Sequence, residues 1–160
     1  MIKHTISVEV ENRFGILARI SSLFSARGFN IDSLAVGETE DPTISHITMV
    51  VPGDDQIIEQ VIKQLRKLID VIKVIDLTEK KAIERELILV KVTAKKADRA
   101  EIMRIVDIFR AKIVDFHPLA FTIEATGTTD KTRAFLRLLS PFGIKKLIRT
   151  GRIALPREEK

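Results

Sequence analysis

Apolar and polar residues alternate at the start of the chain, with Ile2, Ile6, Val8 and Val10 on one side of an extended run and Lys3, Thr5, Ser7 and Glu9 on the other. A period of two predicts a half-buried strand. From Gly15 to Ala26 the period changes: Ile16, Ile20, Leu23 and Phe24 fall at i, i+4, i+7 and i+8, one stripe of an amphipathic helix that Gly28 should end. Two β-prone runs, IDSLAVGET and TISHITMVV, are joined by Glu-Asp-Pro and read as a hairpin. A second helix is expected over Asp55 to Ile69, with Ile57, Ile58, Val61, Ile62, Leu65 and Leu68 inward, followed by a strand VIKVIDL at residues 71–77.

The charged segment EKKAIERE, residues 79–86, breaks this rhythm and is expected as a linker between a domain over 1–78 and one over 87–160. After it the order recurs. LILVKVTA predicts a strand, Asp98 with Glu101 a capping box opening a helix through Ile102, Ile105, Val106 and Phe109, and KIVDF and AFTIEAT two strands around His117-Pro118. Thr129 to Leu139 predicts a helix and IKKLIRTG a last strand. Two successive βαββαβ units imply an α+β chain of two ferredoxin-like domains, each an antiparallel four-stranded sheet with helices on one face. Units of roughly 60–80 residues bury only about 60 % of their unfolded surface, so the open face of each sheet calls for a cover from another unit or another chain.

Composition narrows the function classes. At 45 % hydrophobic and 31 % charged residues the chain is of globular type. The absence of cysteine removes disulfides, thiolate metal sites and a cysteine nucleophile. No run approaches the ~18–20 apolar residues of a membrane span, and MIKHTISVEVE lacks the apolar core of a signal peptide, so a cytoplasmic protein without membrane association is expected. His4, His46 and His117 lie on separate segments without metal-binding spacing. No GxSxG, SxxK or GxxxxGK[ST] occurs, and Gly15 and Gly28 are too far apart for a dinucleotide fingerprint. No catalytic constellation emerges. The net charge of +5 gathers in residues 131–160, where nine Lys or Arg face two Glu. That basic end, with ferredoxin-like sheets, also suits a nucleic-acid-binding or adaptor protein. A base-stacking platform is lacking, however: the chain has no Trp or Tyr, and ISHITMVV, the central strand of the first unit, has no Phe. No nucleic-acid partner is expected.

One junction remains, ENRFG, where the first strand meets the first helix. A helix N-terminus presents unpaired N–H groups and the positive end of its dipole, a setting for a carboxylate. Gly15 lets an anion approach the N–H groups of Gly15, Ile16 and Leu17, while the Asn12 amide can donate to a carboxylate or accept from an ammonium. Equally, Asn12, Gly15 and Asn30 are ordinary cap and turn residues. The residues alone leave both readings open.

Residues 11–51, ENRFGILARISSLFSARGFNIDSLAVGETEDPTISHITMVV, resemble the N-terminal ACT domain of the small, regulatory subunits of acetohydroxyacid synthase (acetolactate synthase). The N-x-x-G-x-L junction, the SxRGFNIxSL segment and the DPTxSxxT hairpin carry the likeness, which continues through QLRKLIDVIKV and ERELILVKV. The resemblance implies a non-catalytic subunit that binds and activates a large catalytic subunit and confers feedback inhibition by valine, leucine or isoleucine. It implies no cofactor in this chain, and thiamine diphosphate, Mg2+ and FAD in the catalytic partner. It further implies a homodimer formed through the ACT domains. The effector would lie between Asn12, Gly15, Ile16, Leu17 and Ala18 of one chain and Asn30 and Ile31 of the other. Ala18 stands where some members have Ser, so any hydroxyl contribution is lost.

Overall fold

The computed structural model describes residues 2–158. Its first compact unit runs to Ile83 and takes in the segment from Arg152 onward; the second spans Glu84–Gly151. In the first, β1 (Lys3–Glu11), α1 (Ile16–Ala26), β2 (Ser33–Glu38), β3 (Ile44–Pro52), α2 (Asp55–Arg66) and β4 (Val71–Asp76) form an antiparallel sheet of order β2-β3-β1-β4. The alternation seen in the sequence sets its register. Ile6 opposes Met49 and Val8 opposes Ile47, and all four side chains are fully buried with Ile20 and Phe24 of α1 and Val61 and Leu65 of α2. Removing an aliphatic side chain of this size from water contributes about 1.5–3 kcal/mol.

The second unit repeats the plan with β5 (Ala82–Thr93), α3 (Arg99–Ile108), β6 (Lys112–His117), β7 (Ala120–Gly127), α4 (Thr129–Leu139) and β8 (Ile144–Arg149), its sheet ordered β6-β7-β5-β8. Ile88, Val90, Phe121 and Ile123 meet Ile102 and Phe135 in its core. Both units are therefore ferredoxin-like, as the element order predicts. No helix among the described residues is long and apolar enough to cross a membrane.

Four local expectations need correction. Residues 79–86 are not simply a linker: from Ala82 the charged run is the opening of β5, because it gains a partner from far along the chain. That partner is β9 (Ile153–Pro156), a strand the sequence did not announce, and the Arg157 N–H bonds to the Lys81 carbonyl at 2.8 Å. Asp98 does not form a capping box, since its backbone is helical and its side chain makes no cap bond. α2 ends at Arg66, leaving Ile69 exposed, and Ile2 lies outside β1 and is exposed as well.

β9 bears on the open face of the first sheet. Thr5, Ser7, Thr48 and Val50 point away from the helices yet are buried. β9 lies against β1 and β3, and Arg152 donates to the Thr5 hydroxyl at 3.1 Å. Part of the expected cover is thus the chain's own end.

Candidate functional site

The strand-to-helix junction is held by the tip of the β2–β3 hairpin. There the Asp41 carboxylate accepts from the Thr43 N–H at 2.9 Å and the Thr43 hydroxyl at 2.7 Å, and the Thr39 hydroxyl donates to the Asp41 carbonyl. The Thr43 hydroxyl and N–H hold the Asp41 carboxyl below the usual aspartate range. This rigid turn offers two carbonyls to Asn12. The Asn12 N–H donates to the Thr43 carbonyl at 2.7 Å, and its side-chain Nδ2 donates to the Pro42 carbonyl at 3.0 Å and to Glu38 at 3.2 Å. Because both side-chain partners are acceptors, the amide must present its nitrogen to them. Its Oδ1 is left facing elsewhere as an acceptor.

Gly15 follows at the N-cap position of α1, with φ +83° and no side chain to cap the helix. A Cβ there would meet nothing within 4 Å, so glycine serves the left-handed backbone rather than a crowded space. Ile16 turns its N–H toward the Arg13 carbonyl at 3.4 Å. No acceptor among the described residues meets the N–H groups of Gly15, Leu17 or Ala18. Three donors at the positive end of an eleven-residue helix are therefore open, and no acidic residue lies in its first turn. The carboxylate of Asp70 lies nearby but is engaged by Arg19 at 2.5 Å.

The other members of the expected site are placed unequally. Ile16 is buried in the core, Leu17 is 41 % exposed, Ala18 is exposed and Ile31 packs against the core at its edge. Asn30 donates through Nδ2 to Asp32 at 2.9 Å, and Asp32 pairs with Lys3 at 2.7 Å, at the opposite end of β1 from Asn12. The nine residues of β1, eight steps of about 3.3 Å or about 26 Å in all, separate those two ends. One chain does not bring Asn12 and Asn30 together. Glu38, Asp41, Pro42 and Thr43 support the junction without having been singled out. The DPT hairpin sequence was their signal, but its contact with Asn12 is a tertiary fact.

The βαββαβ unit with its uncapped helix start is that of an ACT-type regulatory domain. The similarities to known proteins agree. A family model described as an AHAS small subunit-like ACT domain matches residues 6–73, and one described as the small subunit of acetolactate synthase matches residues 85–158. The acetolactate synthase small subunit of Aquifex aeolicus is 53 % identical over 157 residues, covering 98 % of this chain and 82 % of that protein. The probable acetolactate synthase small subunit of Archaeoglobus fulgidus is 53 % identical over 159 residues, covering 99 % of each. The crystal structure of the acetolactate synthase small subunit from Thermotoga maritima superposes with a TM-score of 0.90 at 39 % identity, covering all of both chains. The chain belongs to the acetolactate synthase small subunit family, the regulatory partners of a catalytic subunit.

Proposed function

We propose that this chain, paired with a second copy of itself, binds valine or another branched-chain amino acid and thereby controls a thiamine-diphosphate-dependent catalytic subunit, which carries FAD and Mg2+. Without effector it activates that subunit; with effector it restrains it. The observation that carries this reading is the set of open N–H groups at Gly15, Leu17 and Ala18 in the same junction as an Asn12 whose Oδ1 accepts from no described residue. The effector carboxylate takes the N–H groups. Its ammonium donates to the Asn12 Oδ1 and, from the second copy, to the Asn30 Oδ1, which is left as an acceptor because Nδ2 is bound to Asp32. Its aliphatic group lies against Leu17 and Ile31. The second copy is needed because the two asparagines lie at opposite ends of one sheet. β2, an edge strand with one unpaired side, supplies a natural surface for that pairing.

The energetics suit a metabolite sensor. Binding at about 10 μM to 1 mM corresponds to roughly −7 to −4 kcal/mol, within reach of a few charge-assisted hydrogen bonds and one small apolar contact. Control further requires the effector to favour the less active complex by about 1–3 kcal/mol.

Substitution at Gly15 tests the site. Gly15→Asp places a carboxylate where the effector's should sit, whereas Gly15→Asn tolerates the same left-handed backbone without the charge. Calorimetry is expected to give no valine binding for the Asp variant and near-normal binding for Asn, with activation of the catalytic subunit retained by both. Unchanged valine affinity in Gly15→Asp would remove the site from the junction.

A further inference from the structure

A second cleft, of about 570 Å³, lies at the other end of β1, where His4 faces the start of α2. The His4 side chain is 94 % buried. Asp76 Oδ2 lies 3.1 Å from its Nδ1; in the neutral ring whose Nδ1–H donates to Asp76, Nε2 is an acceptor. Asp76 is itself well defined: burial pushes its carboxyl up, but hydrogen bonds from the Thr78 hydroxyl and N–H and from His4 together hold it below the usual range. Nε2 is buried and meets no partner among the described residues. Asp55 Oδ1 stands 4.0 Å from it, too far for a hydrogen bond.

Two acceptors 4.0 Å apart can be bridged by one donor atom lying about 2.8–2.9 Å from each. The surroundings select the charge of that donor. Besides Asp55 and Asp76, the cleft is lined by Glu59 and Glu79, with Lys80 the one cation among its lining residues; Glu59 is paired with Lys63 at 2.7 Å. The cleft is thus acidic in a chain of net charge +5. Ile58 and Ile62 supply an apolar wall. No group of three or more His, Cys, Asp or Glu is gathered tightly enough for a metal ion among the described residues. An organic cation with an aliphatic stem fits both the wall and the acceptors.

We propose that this cleft binds a primary alkylammonium group, its nitrogen between His4 Nε2 and Asp55 Oδ1 and its methylenes against Ile58 and Ile62. The site is separate from the Gly15 junction and does not depend on it. Two sources carry the chemistry: a free diamine, or a lysine side chain presented by a polypeptide.

The test uses the full chain with 15N-labelled histidine, in which Nε2 of His4 is distinguished from His46 and His117. The probes are 1,5-diaminopentane and a blocked Gly-Lys-Gly peptide, with the Nε-acetyl-lysine peptide as neutral control. A saturable shift of the His4 Nε2 resonance is expected, half-complete on the order of 1–10 mM, with no shift from the acetylated control. Asp55→Asn, at a side chain 95 % exposed, should weaken binding by about ten-fold. Tighter binding of the diamine identifies a free amine as the source, and equal or tighter binding of the peptide identifies a lysine side chain. No saturable shift with either probe, an equal response to the acetylated peptide, or indifference to Asp55→Asn overturns the proposal.

Discussion

Asn12 and Gly15 prepare the same junction by different means. Asn12 ties the strand end to the hairpin tip through three hydrogen bonds, while Gly15 supplies a backbone angle that other residues resist and leaves the helix start uncapped. The donors are open because nothing local caps them. His46 shows a second kind of residue-level control. It lies 2.7 Å from the Ser7 hydroxyl on the open face of the first sheet, where partial burial holds its pKa below the ordinary histidine value, against an opposing pull from Glu9. The unfolded chain, with His46 titrating near 6.5, takes up the proton before the folded chain does. Stability should therefore fall as pH drops from about 7 through 6.5 and toward 5, and part of that loss should vanish in His46→Gln. Urea denaturation of both proteins across this range checks it. An equal slope in the two would show that His46 carries no such penalty.

At the scale of elements, sequence pattern and structure can be compared directly. Strands and helices with a clean period of 2 or 3.6 were legible, because burial of one face is a local pattern repeated along the chain. Features that depend on a distant partner were not. Ala82 and Ile83 look like linker residues until β9 pairs with β5. Likewise Asp98 carries the letters of a capping box without making the bond, whereas Asp54 accepts from the Ile57 N–H at 2.9 Å and does cap its helix. Two substitutions should separate these cases. Asp54→Ala is expected to cost about 1 kcal/mol by removing the cap of α2, and Asp98→Ala only a few tenths, within the surface range. Similar losses at both positions, measured by urea denaturation, would contradict the assignment. At the site, the open helix start was legible, since it needs only Gly15 without a capping side chain. The roles of Pro42 and Thr43 in holding Asn12 were not, being set by the packing of the hairpin on the junction.

For the whole molecule, the end of the chain belongs to the beginning. Arg152 and β9 lie on β1 and β3, so truncation after Gly151 should expose Thr5, Ser7 and Val50 and release the opening of β5. The expected result is faster amide exchange in β1 and β3; unchanged exchange there would mean that β9 contributes nothing to the first unit. The regulatory reading needs a second whole-molecule property, that one effector site is built from two chains. Complementation between defective copies tests this most directly. Gly15→Asp sets an anion against the effector carboxylate and Asn30→Lys a cation against its ammonium, so each spoils one half of every site and neither variant alone should bind valine. Random pairing of the two makes about half of the dimers mixed, each with one intact and one doubly defective site, and should restore about a quarter of the wild-type binding capacity. If the mixture binds no more valine than the separate variants, the site is not shared between chains, and the central claim fails.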